Sequence, residues 1–140
     1  MADCAICRNE RPQDVLLELA HVWVTAQVVA ALPGYVCVVA KRHVNEQFEL
    51  DALEGHGFWD ALMRVARGVR DATGAAKINY EIHGNTIRHL HCHVFPRYPG
   101  DPFEGHPIDP RASTFARSPD DLARLRTAIL AATGVGPEVR

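Results

Sequence analysis

His89, His91 and His93 occupy every second position of the run His89-Leu90-His91-Cys92-His93-Val94-Phe95-Pro96-Arg97. Successive side chains of a β-strand point to opposite faces, so this spacing predicts three imidazoles in a row on one face, with Leu90, Cys92 and Val94 turned into a core. At about 3.3 Å of rise per residue, neighbouring rings stand roughly 7 Å apart, near enough for two of them to touch one ligand. Imidazole moves protons, attacks electrophiles and binds metals near neutral pH. A single histidine on a strand is most often a half-buried, hydrogen-bonded residue. Three on one face, where a purely structural sheet takes Thr, Val or Tyr, point to chemistry.

A second constellation is Cys4-Ala5-Ile6-Cys7. A C-x-x-C pair in a reducing compartment is either half of a zinc site or a redox couple. A redox motif sits between a strand and a helix, whereas a polar turn, Arg8-Asn9-Glu10-Arg11-Pro12, follows here. A zinc site needs two more ligands from elsewhere. Cys37 and Cys92 fall inside strand patterns and read as small buried hydrophobes. Gly84-Asn85-Thr86 offers backbone N–H groups and short polar side chains to an anion, and serves equally well as an ordinary hairpin loop.

The remaining segments must position these groups. Val15 to Leu19 and His21 to Ala26 predict an antiparallel hairpin, with His21 at the turn. Pro33-Gly34 marks a turn, and Tyr35-Val36-Cys37-Val38-Val39-Ala40 is the most apolar strand candidate, central in the sheet and running directly into His43. Asp51 and Glu54 form a capping box that opens a helix of about six turns, with Leu53, Trp59, Leu62, Ala66 and Val69 on its inner stripe and Gly74 as its stop. Ile78 to His83 predicts a strand beside the histidine strand. Residues 98–107 are rich in Pro and Gly and form an irregular loop able to fold over a site, and Ser118-Pro119 opens a final helix that runs to Gly134.

One domain of 140 residues is expected, with a real core. A formal net charge of −2 argues against nucleic acid as a partner, so any phosphate must be held locally. The longest apolar run, Val28 to Ala40, is broken by Pro33-Gly34 and too short for a bilayer, which argues against a membrane protein. Met1-Ala2-Asp3-Cys4 has no charged and apolar pattern of a secretion signal, so a cytoplasmic location is expected.

At this point the chain resembles the histidine triad (HIT) family of nucleotide hydrolases and transferases. His89-Leu90-His91-Cys92-His93-Val94-Phe95 fits the family's H-φ-H-φ-H-φ-φ signature, φ being apolar. Pro33-Gly34-Tyr35 through Lys41-Arg42-His43 is similar to its P-G-H-x-L-V-I-P-K-x-H segment, and Gly84-Asn85-Thr86 to the element preceding the triad. Cys4-x-x-Cys7 is similar to the zinc-containing bacterial branch. The resemblance spans residues 1–103 of a single domain, leaving a Pro-rich loop and C-terminal helix over 104–140.

The resemblance implies an α+β fold: an antiparallel sheet of about five strands with one long helix and a C-terminal helix, the long helix on one face and the histidines on the other. It implies His91 as the nucleophile at the α-phosphorus of a nucleotide, its far nitrogen held by a backbone carbonyl of its own strand, that of His89, with His93 beside the phosphate. It places Asn85 and Thr86 on phosphate oxygens and Cys4, Cys7, His43 and His89 around a structural zinc. A zinc held by the triad itself is the chemical rival, and it leaves the cysteines unexplained. Substrates would be dinucleoside polyphosphates or nucleoside phosphoramidates, with an adenine nucleotide as partner, and the protein would be a homodimer.

Two departures stand out. Gln27 occupies the position where the family grips the ribose with Asp or Asn, and Tyr80-Glu81-Ile82-His83 replaces a longer Gly-rich run, so His83 and Glu81 can enter the substrate pocket. The alternative function is a zinc-stabilised nucleotide-binding or scaffold protein with little turnover. A thiol redox protein built on Cys4 and Cys7 is a third.

Overall fold

A computed structural model describes residues 3–134; Met1 and Ala2, read above for a leader, and residues 135–140 lie outside the described residues. The chain runs α1 (Ala5–Arg8), β1 (Val15–Glu18), β2 (Val22–Thr25), β3 (Val29–Ala30), β4 (Val36–Ala40), α2 (Ala52–Thr73), β5 (Lys77–Glu81), β6 (His91–Arg97), β7 (Phe115–Ala116) and α3 (Pro119–Thr133). The fold is α+β. Its five-stranded antiparallel sheet has the order β1-β2-β4-β6-β5, and β3 and β7 form a separate two-stranded ribbon.

β4 is the middle strand and is buried at all five positions, as its unbroken apolar sequence requires of a strand covered on both faces. On one face Val36 and Val38 meet Cys92 and Val94 of β6, Val22 and Val24 of β2, and Leu62, Val65 and Val69 of α2. On the other face Tyr35, Cys37 and Val39 join Phe95, Ala30 to Leu32 and Ile108. Alternation along β6 therefore separates Cys92 and Val94, in the helix-side core, from His91 and His93 on the opposite face.

α2 is capped as its sequence requires. Asp51 Oδ1 accepts the Glu54 N–H at 2.8 Å, Glu54 Oε1 accepts the Asp51 N–H at 3.1 Å, and Gly74 ends the helix in the left-handed region at φ 69°. Its buried stripe is Phe58, Ala61, Leu62, Val65, Ala66 and Val69. Leu53 and Trp59, expected inside, are 73% and 40% exposed. They depart from the stripe because Trp59 lies one residue, about 100° of helix, past Phe58 and Leu53 lies on the far side of the first turn. α3 packs along α2 where Gly68 leaves room; a Cβ there would stand 2.6 Å from the Ile129 Cα.

Pro96 does not close the strand, which continues to Arg97. Pairing with β4 stops at Val36↔Val94, so Pro96 has a partner strand, β5, on one side only, and its missing N–H costs no ladder bond there. The Pro-rich loop is stapled by Arg97, which donates to Asp101 at 2.8 Å through Nε and to Asn79 Oδ1 at 2.8 Å through Nη1. That pairing holds the Asp101 carboxyl down at about 2. Phe103 of this loop and Ala112 beyond it lie against the Tyr35–Phe95 cluster, beside the histidines on the same face. Among the described residues no helix is long and apolar enough to cross a membrane.

Candidate functional site

β6 carries His91 opposite Val39 and His93 opposite Cys37, so both rings stand over the central strand. They border a cavity of about 330 Å³ together with Tyr35, Thr25 and Gln27. The far wall is built by Ile6, Asn9, Arg11 and Asp14 of the N-terminal segment, and the loop over 98–107 contributes nothing to the lining. Nothing in the sequence assigned this wall, because no periodic pattern runs through residues 5–14.

His89 does not complete the row. β6 begins at His91, and the His89 ring is 1% exposed. β4 ends at Ala40, and the Leu90 N–H goes to the Val44 carbonyl at 2.8 Å, so the chain past β4 crosses over the start of β6 and brings His43 against His89. The face therefore presents two histidines to the cavity.

His91 Nδ1–H donates to the His89 carbonyl at 2.6 Å. A carbonyl only accepts, so Nδ1 carries a proton, and in the neutral ring the lone pair is on Nε2. The His91 and His93 rings are 5.1 Å apart and nearly perpendicular. His93 Nδ1 lies 2.7 Å from the Tyr35 hydroxyl. Burial, then the neighbouring rings of His91 and His83, lower the His93 pKa to about 4. Burial also pushes up the Tyr35 hydroxyl and the Cys37 thiol and raises Cys92 to about 12, so all three keep their protons.

Of the substrate-binding residues expected from sequence, Gln27 borders the cavity with its side chain exposed. His83 is not part of the lining; its ring lies 5.9 Å from that of His93 and its Nε2 2.9 Å from Glu81 Oε1. Asn85 and Thr86 are exposed in the segment joining β5 to β6. Ile87 of that segment reaches the cavity, while Thr86 borders a neighbouring one shared with Cys4 and His43. Arg117, which the sequence did not single out, is 5% exposed and donates through Nε to Gln27 O at 2.8 Å and through Nη1 to Tyr35 O at 2.5 Å. It pins two cavity-lining segments from behind.

Cys4, Cys7, His43 and His89 form a cluster whose ligand atoms all lie within 4.8 Å of one another. Cys4 Sγ to His89 Nδ1 is 3.5 Å, Cys7 Sγ to His43 Nδ1 is 3.4 Å, and the two Nδ1 atoms are 3.2 Å apart. A tetrahedron with bonds of about 2.0 to 2.3 Å has edges of roughly 3.3 to 3.8 Å, so the set fits a four-coordinate ion. His89 Nε2–H donates to the Ala40 carbonyl at 2.6 Å, which leaves Nδ1 with its lone pair, and burial holds the His89 pKa down. The C-x-x-C spans one helical turn, closed by the Arg8 N–H on the Cys4 carbonyl at 3.0 Å, so both sulfurs face the two histidines.

The sheet, the paired strand histidines and the Cys/His cluster together define a small α+β protein with two histidines beside a cavity over its central strands. The HIT domain profile matches residues 8–100, and the chain belongs to the HIT family, a family of nucleotide hydrolases and transferases. It is 26% identical over 132 residues to Protein hit of Bacillus subtilis, covering 90% of this chain and 89% of that one. A histidine triad protein from Sinorhizobium meliloti superposes with a TM-score of 0.77 at 27% identity, over 94% of this chain and 98% of that one. A zinc-bound histidine triad family protein from Mycobacterium smegmatis shares the fold with a TM-score of 0.69 at 21% identity, over 95% and 97% of the two chains.

Proposed function

We propose that this protein is a nucleotide hydrolase or nucleotidyl transferase that works through a covalent nucleotidyl-His91. The observation that carries the reading is the 2.6 Å contact of His91 Nδ1 with the His89 carbonyl, which leaves the Nε2 lone pair for attack at the cavity. Nε2 attacks the α-phosphorus, the phosphoanhydride or phosphoramidate bond breaks, and the leaving group departs with a proton that comes from solvent. Water then cleaves the P–N bond and frees the nucleoside monophosphate and His91. Dividing one displacement into two easier ones is the gain of covalent catalysis. His93 donates to a non-bridging oxygen or helps protonate the leaving group.

In this reading Gln27 faces the nucleoside, Asn85 and Thr86 supply phosphate-side groups from the segment that carries Ile87 into the cavity, and His83 stands on the leaving-group side. Adenine nucleotides are the assigned substrates. Cys4, Cys7, His43 and His89 hold a structural zinc, as the donor set and its edge lengths support. That ion cross-links the N-terminal turn, the segment after β4 and the start of β6. Trp59 and Met63 on α2 and Tyr80 on the edge strand β5, all at least 40% exposed, are offered to a second copy in a homodimer of a cytoplasmic protein.

Product analysis by chromatography tests the reading, with adenosine phosphoramidate, diadenosine triphosphate and diadenosine tetraphosphate given to the wild type and to His91→Ala. AMP release by the wild type alone supports it. Retention of uncleaved dinucleotide by both proteins favours a binding or scaffold role.

A further inference from the structure

A neutral imidazole has one N–H and one lone pair, and its neighbours decide which nitrogen has which. For His91 a carbonyl decides. For His93 the neighbour is Tyr35, whose hydroxyl lies 2.7 Å from Nδ1. The phenol is 3% exposed, and its ring stacks on Phe95 with centroids 4.6 Å apart and 15° between planes, which fixes where the hydroxyl sits. Tyr35 keeps its proton, its pKa being raised by burial first and then by Cys37. Beside a neutral His93 that proton has one good acceptor, the imine lone pair. The reverse arrangement, with Nδ1–H donating to the phenol oxygen, would turn the phenolic proton toward the protonated Cys37 thiol, a weak acceptor.

We propose that Tyr35 is a positioning residue that holds His93 as the Nε2–H tautomer, so that His93 offers an N–H to the cavity beside the lone pair that His91 offers there. The proposal rests on His91 acting as a nucleophile at phosphorus. Two rings of one strand face then have opposite polarity: an electron pair for the phosphorus and a proton donor for its oxygens. The other tautomer would aim a second lone pair at an anionic phosphate.

The titratable groups around His93 are consistent with this division. Tyr35, just before β4, and Cys37 of β4 face it from one side, His91 from β6, and Glu81 and His83 from the β5 side. Glu81 is engaged by His83 at 2.9 Å and by the Ile108 N–H at 3.3 Å, so the contact that sets the Nδ1 state is the Tyr35 hydroxyl.

Long-range ¹H–¹⁵N correlation of the imidazole nitrogens tests this on the full-length, metal-replete protein. The wild type is expected to show an unprotonated-type shift at His93 Nδ1 and a protonated-type shift at Nε2. In Tyr35→Phe, which keeps the ring and its stacking, the two nitrogens are expected to move to intermediate values. With adenosine phosphoramidate, kcat is expected to fall about tenfold, the loss of one oriented hydrogen bond, while KM stays within about twofold. A protonated Nδ1 in the wild type, or unchanged shifts and kcat in Tyr35→Phe, would overturn the proposal, and the wild-type spectrum decides the matter if the variant does not fold. Shifts as expected in a protein with no turnover would uphold the Tyr35 assignment and count against the nucleophile reading.

Discussion

The backbone carbonyl of His89 lies 2.6 Å from Nδ1 of His91, while the ring of His89 belongs to the cluster of Cys4, Cys7 and His43. One residue joins the Cys/His cluster to the strand histidine that faces the cavity. The same cluster anchors the N-terminal segment that forms the cavity's far wall.

Loss of the proposed zinc is therefore expected to reach both stability and activity. Treatment with a strong chelator should lower Tm on the order of 10 °C, as expected for about 3 kcal/mol in a domain of this size. It should also lower kcat at temperatures where the protein remains folded. Cys7→Ser should do the same, with metal content by elemental analysis well below that of the wild type. An unchanged Tm and kcat after complete extraction would disprove the coupling.

His93 makes stability depend on pH. Its folded pKa of about 4 lies below the free value of 6.5, so between these limits the unfolded chain binds the proton and the folded chain does not. The contribution is complete above about pH 6.5 and is lost as pH falls toward 4, to a total of at most about 3 kcal/mol, less for a ring that borders the cavity. Denaturant midpoints followed across this window should fall more steeply for the wild type than for His93→Gln. Parallel curves would show that His93 is not the group responsible.

Arg117 holds the Gln27 and Tyr35 carbonyls from a buried position. Arg117→Met removes the donors and strands both acceptors, at an expected cost of about 3 kcal/mol in urea denaturation. KM should rise as well, since both residues border the cavity. Arg117→Lys is expected to recover little, because an ammonium cannot span two carbonyls as the planar fork does.

Gly68→Ala should destabilise by about 2 kcal/mol, because the added methyl meets the Ile129 backbone and α3 cannot move without leaving α2. Gly55→Ala in the same helix has open space and should stabilise by roughly 0.5 to 1 kcal/mol. Neither change should alter kcat, as both sites lie on the helix layer, across the sheet from His91. A stable Gly68→Ala would mean that the helix pair is looser than the close approach requires.

Local rules of the chain determined a good deal. The period of two along 89–94 separates His91 and His93 from Cys92 and Val94, and the capping residues Asp51, Glu54 and Ser118 open the helices they were expected to open. The unbroken apolar run of β4 marks it as central. These features are legible because each depends on residues adjacent in sequence.

The tertiary structure decided what depends on where partners end and which segments cross. Strand period alone carries His89 into the row, but β6 begins at His91, and the segment beyond β4 brings His43 against His89, whose ring joins that cluster instead of lining the cavity. Leu53 and Trp59 had the right spacing for a buried stripe, yet the position of the sheet selects Phe58 and Ala61 instead. The wall over residues 5–14, the Arg117 clamp and the Tyr35–His93 contact join positions far apart in sequence, Arg117 and Gln27 being separated by 90 positions and Tyr35 and His93 by 58. No local pattern encodes such pairs; they exist only once the sheet brings β2, β4 and β6 side by side.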